Sequence, residues 1–128
     1  MKKNWIVLYF EDKNRTCDIE CFLDSLKEKE RAKAIAWIDK LEEEGNELKR
    51  PFADYLQKGI YELRISLNQK NVRILYFFVF KNFIILSHVF RKNTKRVPEK
   101  EIARAISNKD EFLSEQTETE IRRKYEKP

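Results

Sequence analysis

Hydrophobic positions in the first third of the chain change from a strand-like run to a helical repeat. The segment Trp5–Phe10 is rich in β-branched and aromatic residues, which predicts a strand. After a polar break, four residues recur at the spacing of one helical face: Ile19, Phe22, Leu23 and Leu26. A second helix is predicted over roughly residues 28–44, with Gly45 as its C-cap. Its predicted apolar side consists of Ala32, Ile35, Ile38 and Leu41. Because almost no linker separates the two helices, we expect an antiparallel hairpin.

The pattern alternates from residue 60 onward, which is typical of strands. In Ile60–Leu67 two faces alternate. One consists of Tyr61, Leu63, Ile65 and Leu67, and the other carries the polar residues Glu62, Arg64 and Ser66. The segment Val72–Phe80 is apolar at nearly every position, so it predicts a central strand that is buried on both sides. A turn at Lys81-Asn82, where Asn tolerates positive φ, leads into a last strand over Phe83–Phe90.

The remaining segments carry weaker signals. Residues 48–59 are predicted to form an irregular connection, because Pro51 ends any helix there. Pro98 is well placed in the first turn of a final helix. The residues of that helix predicted to face the body are Ile102, Ala105, Ile106 and Phe112. The chain is almost entirely polar after that, so we predict one α+β domain over residues 1–113 and a solvated tail over residues 114–128. The predicted order of elements is β-α-α-β-β-β-α.

Composition narrows the cellular setting. A chain of 128 residues, of which 41% are hydrophobic, suits one compact core. It has only two cysteines, Cys17 and Cys21, which indicates a reducing compartment rather than a disulfide framework. We expect both to be small buried residues. The apolar run that follows Met1–Asn4 is too short for a signal peptide or a membrane span, so a cytoplasmic protein with no membrane partner is predicted.

Basic residues are concentrated in the second half of the chain. Residues 58–104 contain eleven Lys or Arg against three Glu, which favours an anionic partner. The alternative is a solvated charged surface. Four of these basic residues lie in one loop after the last strand: Arg91, Lys92, Lys95 and Arg96. No cluster of His, Cys or carboxylate residues has the spacing of a metal site, so neither a metal nor another cofactor is expected.

Three residues in the predicted strands are candidates for chemistry. Arg73 is the only charge in nine otherwise apolar or aromatic positions, and a charge in a central strand needs a partner or a purpose. Arg64 lies on the polar face of its strand. His88, the only histidine, lies near the end of the last strand, and an ordinary imidazole pKa of about 6.5 suits proton transfer. The alternatives are an exposed Arg64 paired with Glu62 or another carboxylate, an exposed Arg73 at a strand end, and a structural His88 at the sheet edge.

Three segments together resemble the RelE/HigB toxin superfamily, particularly its phage-derived HigB-like branch. They are Tyr61-Glu-Leu-Arg-Ile65, Val72-Arg-Ile-Leu-Tyr76 and the stretch from Ile85 through the basic loop to Ala105. The resemblance covers most of residues 5–112 and leaves out the tail. It implies a RelE-like fold, in which a small, mostly antiparallel sheet is flanked by an N-terminal helical hairpin and a C-terminal helix.

The resemblance also implies an activity and partners. Toxins of this group cleave messenger RNA, typically on the ribosome and without a metal, with the 2′-hydroxyl of the substrate as the nucleophile. A cognate antitoxin, in this branch often a helix-turn-helix protein, neutralises the toxin. The expected partners are therefore messenger RNA, the ribosome and an antitoxin.

Carried over to individual positions, the resemblance places Arg64 in the active cleft and Arg73 at the scissile phosphate. We add His88 and Lys92 as candidates for acid–base chemistry, so four residues are predicted to be catalytic. The predicted RNA-binding residues are Phe90, Arg91, Lys95 and Arg96. Phe90 can stack on a base, and the alternative is that it belongs to the core. Some relatives use a tyrosine near the C-terminus as the acid, but here only Tyr125 in the tail is available, so the general acid stays unassigned.

Two other functions remain open, because one group of the same fold inhibits DNA gyrase instead of cutting RNA. The first is a same-fold binding protein, such as a gyrase-poisoning toxin. The second is an inactive phage-derived protein that is retained for its interaction with a partner.

Overall fold

The computed structural model describes residues 5–126 and has the α+β fold predicted from the sequence. Its elements are β1 Ile6–Tyr9, α1 Asp18–Ser25, α2 Glu28–Glu44, β2 Ala53–Gln57, β3 Ile60–Leu67, β4 Lys70–Val79, β5 Phe83–Arg91, α3 Glu99–Glu115 and α4 Glu118–Tyr125. A short 3-10 turn, Gly45–Glu47, follows α2. Met1–Asn4, which entered the signal-peptide argument, and the last two residues of the predicted tail lie outside the described residues.

The five strands form one mixed sheet in the order β1-β5-β4-β3-β2. The pairs β2–β3, β3–β4 and β4–β5 are antiparallel, whereas β1 pairs parallel to β5. Strand β4 therefore lies at the centre of the sheet, as its nearly continuous apolar sequence predicts. The expectation of a mostly antiparallel sheet is confirmed.

Helices cover both faces of the sheet, and each face has its own hydrophobic core. On one face, α1 and α2 pack against inward-facing residues such as Leu63 and Ile74. On the other face, α3 and α4 pack against residues such as Leu75 and Phe77. Successive strand residues point to opposite faces, so Glu62 and Arg64 project toward the side of α3. This side is called the α3 face below.

The buried side of α2 differs from the prediction. Ala34, Ile38 and Leu41 are buried, whereas Ala32 and Ile35 are exposed. The buried face of α2 therefore includes the small Ala34 instead of the larger Ile35. Ala34 is completely buried in the core cluster between the helix and the sheet.

Two elements were missed by the sequence analysis. Residues 53–57, inside the predicted irregular connection, form the edge strand β2 and pair with β3. Residues 118–125, inside the predicted polar tail, form α4. Thr117 caps α4 through reciprocal hydrogen bonds with Glu120, and Ile121 is buried in the core of the α3 face. The capping box, the buried Ile121 and a hydrogen bond from Arg122 to the Phe80 carbonyl hold this short helix on the body of the protein.

The turn between β4 and β5 also differs from the prediction in detail. Positive φ angles occur at Phe80 and Lys81, whereas Asn82 is not among the residues with positive φ. The Asn82 N–H donates to the Phe80 carbonyl at 2.8 Å, and the Phe80 carbonyl also accepts from Arg122 Nη2 of α4 at 2.6 Å. Phe80 and Lys81 thus adopt positive φ, which the local sequence does not favour, in a turn that is hydrogen-bonded to α4.

Candidate active site

The register of β3, β4 and β5 brings three predicted site residues into one row across the sheet. Arg64 pairs with Arg73, and Arg73 pairs with Phe90. Directly paired residues project from the same side of a sheet, which here is the α3 face. We call Arg64, Arg73 and Phe90 the arginine row. Two of the four predicted catalytic residues are therefore immediate neighbours, and a predicted RNA-binding residue lies beside them.

A buried carboxylate joins the two arginines. Glu62 Oε1 accepts a hydrogen bond from Arg73 Nε at 3.0 Å, and Glu62 Oε2 accepts from Arg64 Nε and Nη2 at 3.3 and 3.1 Å. The side chain of Glu62 is 2% exposed, against 12% for Arg73 and 30% for Arg64. The ion pair considered as an alternative role for Arg64 is thus present, but Arg73 shares the same carboxylate.

The edge strand adds a second carboxylate to this cluster. Asp54 pairs with Glu62 across β2 and β3, and its Oδ2 lies 3.4 Å from Arg64 Nη2 and 2.9 Å from Arg50 Nη2. Hydrogen bonding to Arg50 holds the pKa of Asp54 below its ordinary value, so this carboxyl group is ionised at neutral pH. Three guanidinium groups therefore face two carboxylates. The net positive charge suits an anionic ligand.

Lys92 continues the same surface by one step. Its backbone N–H donates to the Asn71 carbonyl at 2.8 Å, which extends the β4–β5 ladder past the end of the strand. Alternation along β5 then places the half-buried Lys92 on the α3 face, beyond Phe90. The structure thus brings a third predicted catalytic residue to the same end of the sheet as the arginine row.

The other basic loop residues do not all face the arginine row. Arg91 pairs with Val72 and therefore lies on the opposite face, where it lines a cavity together with Leu26. Lys95 and Arg96 are exposed in the loop between β5 and α3. The loop therefore supplies positive charge on both sides of this end of the sheet.

His88 lies in the next row of the sheet but is enclosed. It pairs with Leu75, which in turn pairs with Glu62, and the imidazole is completely buried. Its Nδ1 lies 2.9 Å from Ser87 Oγ, and its Nε2 lies 3.0 Å from Glu101 Oε1 of α3. Strand β1 pairs with β5 only up to Leu86, so His88 lies beyond the end of β1 and has β4 as its strand neighbour. This is consistent with the structural alternative, a hydrogen-bonded histidine at the sheet edge.

These contacts favour one tautomer of the neutral imidazole. Asn108 Nδ2 donates to Ser87 Oγ at 2.9 Å, which leaves the hydroxyl proton of Ser87 to be donated to Nδ1. The proton of the neutral ring then sits on Nε2 and is donated to Glu101. Ser87, His88, Glu101 and Asn108 are called the histidine network below.

Burial is the main cause that lowers the pKa of His88, and the nearby Arg104 lowers it further, whereas Glu101 acts in the opposite direction. The imidazole is therefore neutral at neutral pH. Both of its nitrogens have partners, so a substrate could exchange a proton with it only after displacing Ser87 or Glu101. This arrangement favours the structural role of His88.

The chain matches a known protein family over most of its length. The model of the phage-derived Gp49-like proteins (DUF891) matches residues 21–110. The chain belongs to this Gp49-like family. The family is a toxin-like group related to RelE and HigB, so the coarse form of the expected resemblance is confirmed. A comparison with curated proteins gives no significant match.

The Gp49-like region contains every predicted site residue. It extends from within α1 to within α3 and so includes the arginine row, the basic loop and the histidine network. Strand β1 and helix α4 lie outside it. The part of the chain that defines the family membership is therefore also the part that carries the candidate site.

The partners of the site residues were largely missed by the sequence analysis. Glu62 was considered only as an ion-pair partner of Arg64, although its i, i+2 spacing already places the two on one strand face. Glu101 and Asn108 are seven residues apart, a spacing that puts them on one side of a helix, but nothing local relates them to His88. No sequence pattern identified Asp54 as part of the site, because β2 itself was not predicted.

The described part of the chain has little that could hold a metal ion. Within residues 5–126, no group of three or more His, Cys, Asp or Glu residues is placed to do so. Cys17 is buried and Cys21 is exposed, and both are free thiols, so the expectation that both would be buried is wrong for Cys21. Among the helices of this same range, none has the length and apolar character needed to cross a membrane.

Proposed function

We propose that this Gp49-like protein is the toxin of a toxin–antitoxin pair and that it cleaves messenger RNA without a metal. The observation that carries the proposal is the arginine row, in which two cations and an aromatic ring lie side by side on neighbouring strands. Membership of a toxin-like family supports the biological role. The net positive charge of the cluster supports an anionic substrate.

The chemistry of RNA cleavage fits these side chains. Attack by the 2′-hydroxyl places additional negative charge on the phosphoryl oxygens, and fixed cations stabilise that charge where it develops. Arg64 and Arg73 each present several N–H donors in the planar geometry that matches a phosphate. Phe90 lies directly beside Arg73, where an unstacked base next to the bound phosphate can stack on its ring.

The remaining predicted residues take different roles in this proposal. Lys92 follows Phe90 on the same face and is the candidate for proton transfer or for an additional phosphate contact. The exposed Lys95 and Arg96 attract the RNA electrostatically. His88 holds β5 against α3 and takes no direct part in the reaction, because its imidazole is buried with both nitrogens engaged.

The proposal includes two macromolecular partners besides the message. The ribosome presents the RNA, and an antitoxin with a helix-turn-helix domain keeps the toxin inactive. If so, a short reading frame beside the gene that encodes such a domain should restore growth when it is co-expressed. Continued arrest on co-expression would contradict this part of the proposal.

The experiment is induced expression of the wild type and of Arg73→Ala, with growth curves and primer-extension mapping of cellular messages. Wild-type expression should arrest growth and create new in-frame message ends, and Arg73→Ala should abolish both. Arg123→Ala is a matched control, because it removes an exposed arginine from α4, outside the family match. This control should arrest growth like the wild type.

Other outcomes separate the alternatives. Growth arrest with intact messages would contradict RNA cleavage and favour gyrase or another target. An absence of arrest would favour a phage-derived protein that acts only by binding. Cleavage that persists in Arg73→Ala would remove the arginine row from the active site.

A further inference from the structure

Glu62 is buried, yet it has ionic partners on both sides. Each of its oxygens is committed to a different guanidinium, Oε1 to Arg73 and Oε2 to Arg64. A carboxylate at this depth is destabilised unless its partners compensate for the lost hydration. The three side chains therefore form one unit, and its central member is too buried to make broad contact with a ligand itself.

We propose that Glu62 is a positioning residue that orients Arg64 and Arg73 as a single clamp for one backbone phosphate of single-stranded RNA. The proposal rests on the proposed function, which requires such a phosphate at the arginine row. Directly paired residues in an antiparallel sheet have Cβ atoms about 5 Å apart, so both guanidinium groups can reach one phosphate. Glu62 accepts from Arg73 Nε and from Nε and Nη2 of Arg64, and Arg73 Nη1 donates to a backbone carbonyl. Nη2 of Arg73 and Nη1 of Arg64 remain as donors for a phosphate.

The physical need for such a residue follows from the register. Two guanidinium groups on directly paired positions repel each other, and long flexible side chains respond by moving apart. A phosphate would then have to bring both arginines back and restrict their rotamers, which weakens binding. A carboxylate between them removes the repulsion and fixes both groups before the ligand arrives.

The sign of the effect distinguishes positioning from simple electrostatics. Glu62 is an anion close to the proposed phosphate, so a purely Coulombic account predicts that its neutralisation tightens RNA binding. Positioning predicts the opposite, because loss of the carboxylate releases the two arginines. Glu62→Gln keeps the size of the side chain and removes its charge, so it separates the two accounts.

The experiment measures the binding of a fluorescein-labelled 2′-O-methyl oligoribonucleotide to the purified full chain by fluorescence anisotropy. This probe lacks the nucleophilic hydroxyl and is not cleaved, so binding is read separately from activity. Glu62→Gln should weaken binding by about tenfold or more, as expected when both cations lose their orientation. The matched control is Glu44→Gln, which removes a partly exposed carboxylate paired with Lys40 on α2 and should change binding by less than about twofold.

A double-mutant cycle tests whether Glu62 acts through the arginines. In an Arg64→Ala/Arg73→Ala background, Glu62→Gln should no longer weaken binding, because there is nothing left to orient. An equal loss in both backgrounds would overturn the proposal, since it would indicate a general structural effect. Tighter or unchanged binding of Glu62→Gln in the wild-type background would overturn it as well.

The same data separate this inference from the proposed function. If Arg64→Ala and Arg73→Ala weaken binding while Glu62→Gln does not, the positioning role fails and the arginine row remains an RNA site. If neither arginine variant weakens binding, the RNA site and the positioning role both fail. Should Glu62→Gln not fold, Glu62→Asp replaces it, because its shorter carboxylate cannot span both guanidinium groups. Weaker binding is again expected, and wild-type affinity would contradict the proposal.

Discussion

Two polar clusters lie on the α3 face with only Leu75 between them, yet one is partly exposed and the other is enclosed. In the sheet, Leu75 pairs with Glu62 on one side and with His88 on the other. Glu62 forms ion pairs with the partly exposed Arg64 and with Arg73. His88 is completely buried and is hydrogen-bonded to Glu101 of α3. The residue types alone would make both clusters functional candidates. The position of the helix decides which of them can meet a substrate.

The two clusters also differ in what a ligand would displace. A phosphate can bind at the arginine row by using donors that Glu62 leaves available, so no internal hydrogen bond has to break. A ligand at His88 would have to separate the imidazole from Ser87 or from Glu101, and would leave a buried polar group without a partner. A polar cluster with spare donors and net charge is thus a better candidate site than one whose groups are all satisfied.

Among substitutions in the two clusters, His88→Ala is expected to lower the stability of the protein most. This substitution leaves a cavity and removes a partner from both Ser87 and Glu101, so it should lower the free energy of unfolding by about 2–4 kcal/mol. Arg73→Ala should cost less, because Glu62 keeps Arg64 as a partner. Urea unfolding of the purified variants measures both values. A larger loss of unfolding free energy for Arg73→Ala than for His88→Ala would contradict the assignment of a structural role to the histidine network and a functional role to the arginine row.

Acid should destabilise the protein through the same histidine. The pKa of His88 is lowered in the fold, mainly by burial, so below its ordinary value of about 6.5 the unfolded chain binds a proton that the folded protein resists. The contribution is fully present above about pH 7.5 and is lost as the pH falls toward the lowered value, at no more than about 1.4 kcal/mol per pH unit. In His88→Gln the pH dependence of unfolding between about pH 7.5 and 5.5 should largely disappear. An unchanged dependence would mean that another group is responsible.

The smallest expected effect is that of Arg104→Gln. Arg104 lies 3.6 Å from Asp18 and is about half exposed, so its loss should change the free energy of unfolding by less than about 0.5 kcal/mol. Its positive charge is the second cause that lowers the pKa of His88, so the variant should raise that pKa. Because the chain has one histidine, NMR titration of the imidazole reads the change directly. A lower or unchanged pKa would contradict the proposed surroundings of the ring.

Much of the fold could be predicted because the central strands depend on a local pattern. Alternation in Ile60–Leu67 and the apolar run that follows identified β3 and β4 with nearly correct limits. Strand β2 has no such alternation, and it is held by pairing with β3, which is a tertiary contact. Helix α4 has little apolar sequence and depends on Ile121 reaching a core that is formed by distant residues.

The candidate site was predictable to the same limited extent. Strand alternation placed Arg64 on a polar face, and the charge of Arg73 in an apolar run marked it as unusual. Their pairing with each other depends on the register of the β3–β4 hairpin, which the structure supplies. The burial of His88 depends on where α3 crosses the sheet, and no pattern around residue 88 indicates it.

The most direct test is cleavage of a translated message in a purified translation system, with 5′-end mapping, by the wild type, Arg73→Ala and His88→Ala. All three proteins are assayed at a temperature at which they are folded. The wild type should create new ends, Arg73→Ala should cut at least about 100-fold more slowly, and His88→Ala should retain activity within about tenfold of the wild type. Equal cleavage by Arg73→Ala and the wild type, or no cleavage by the wild type, would contradict an RNA-cleaving site at the arginine row.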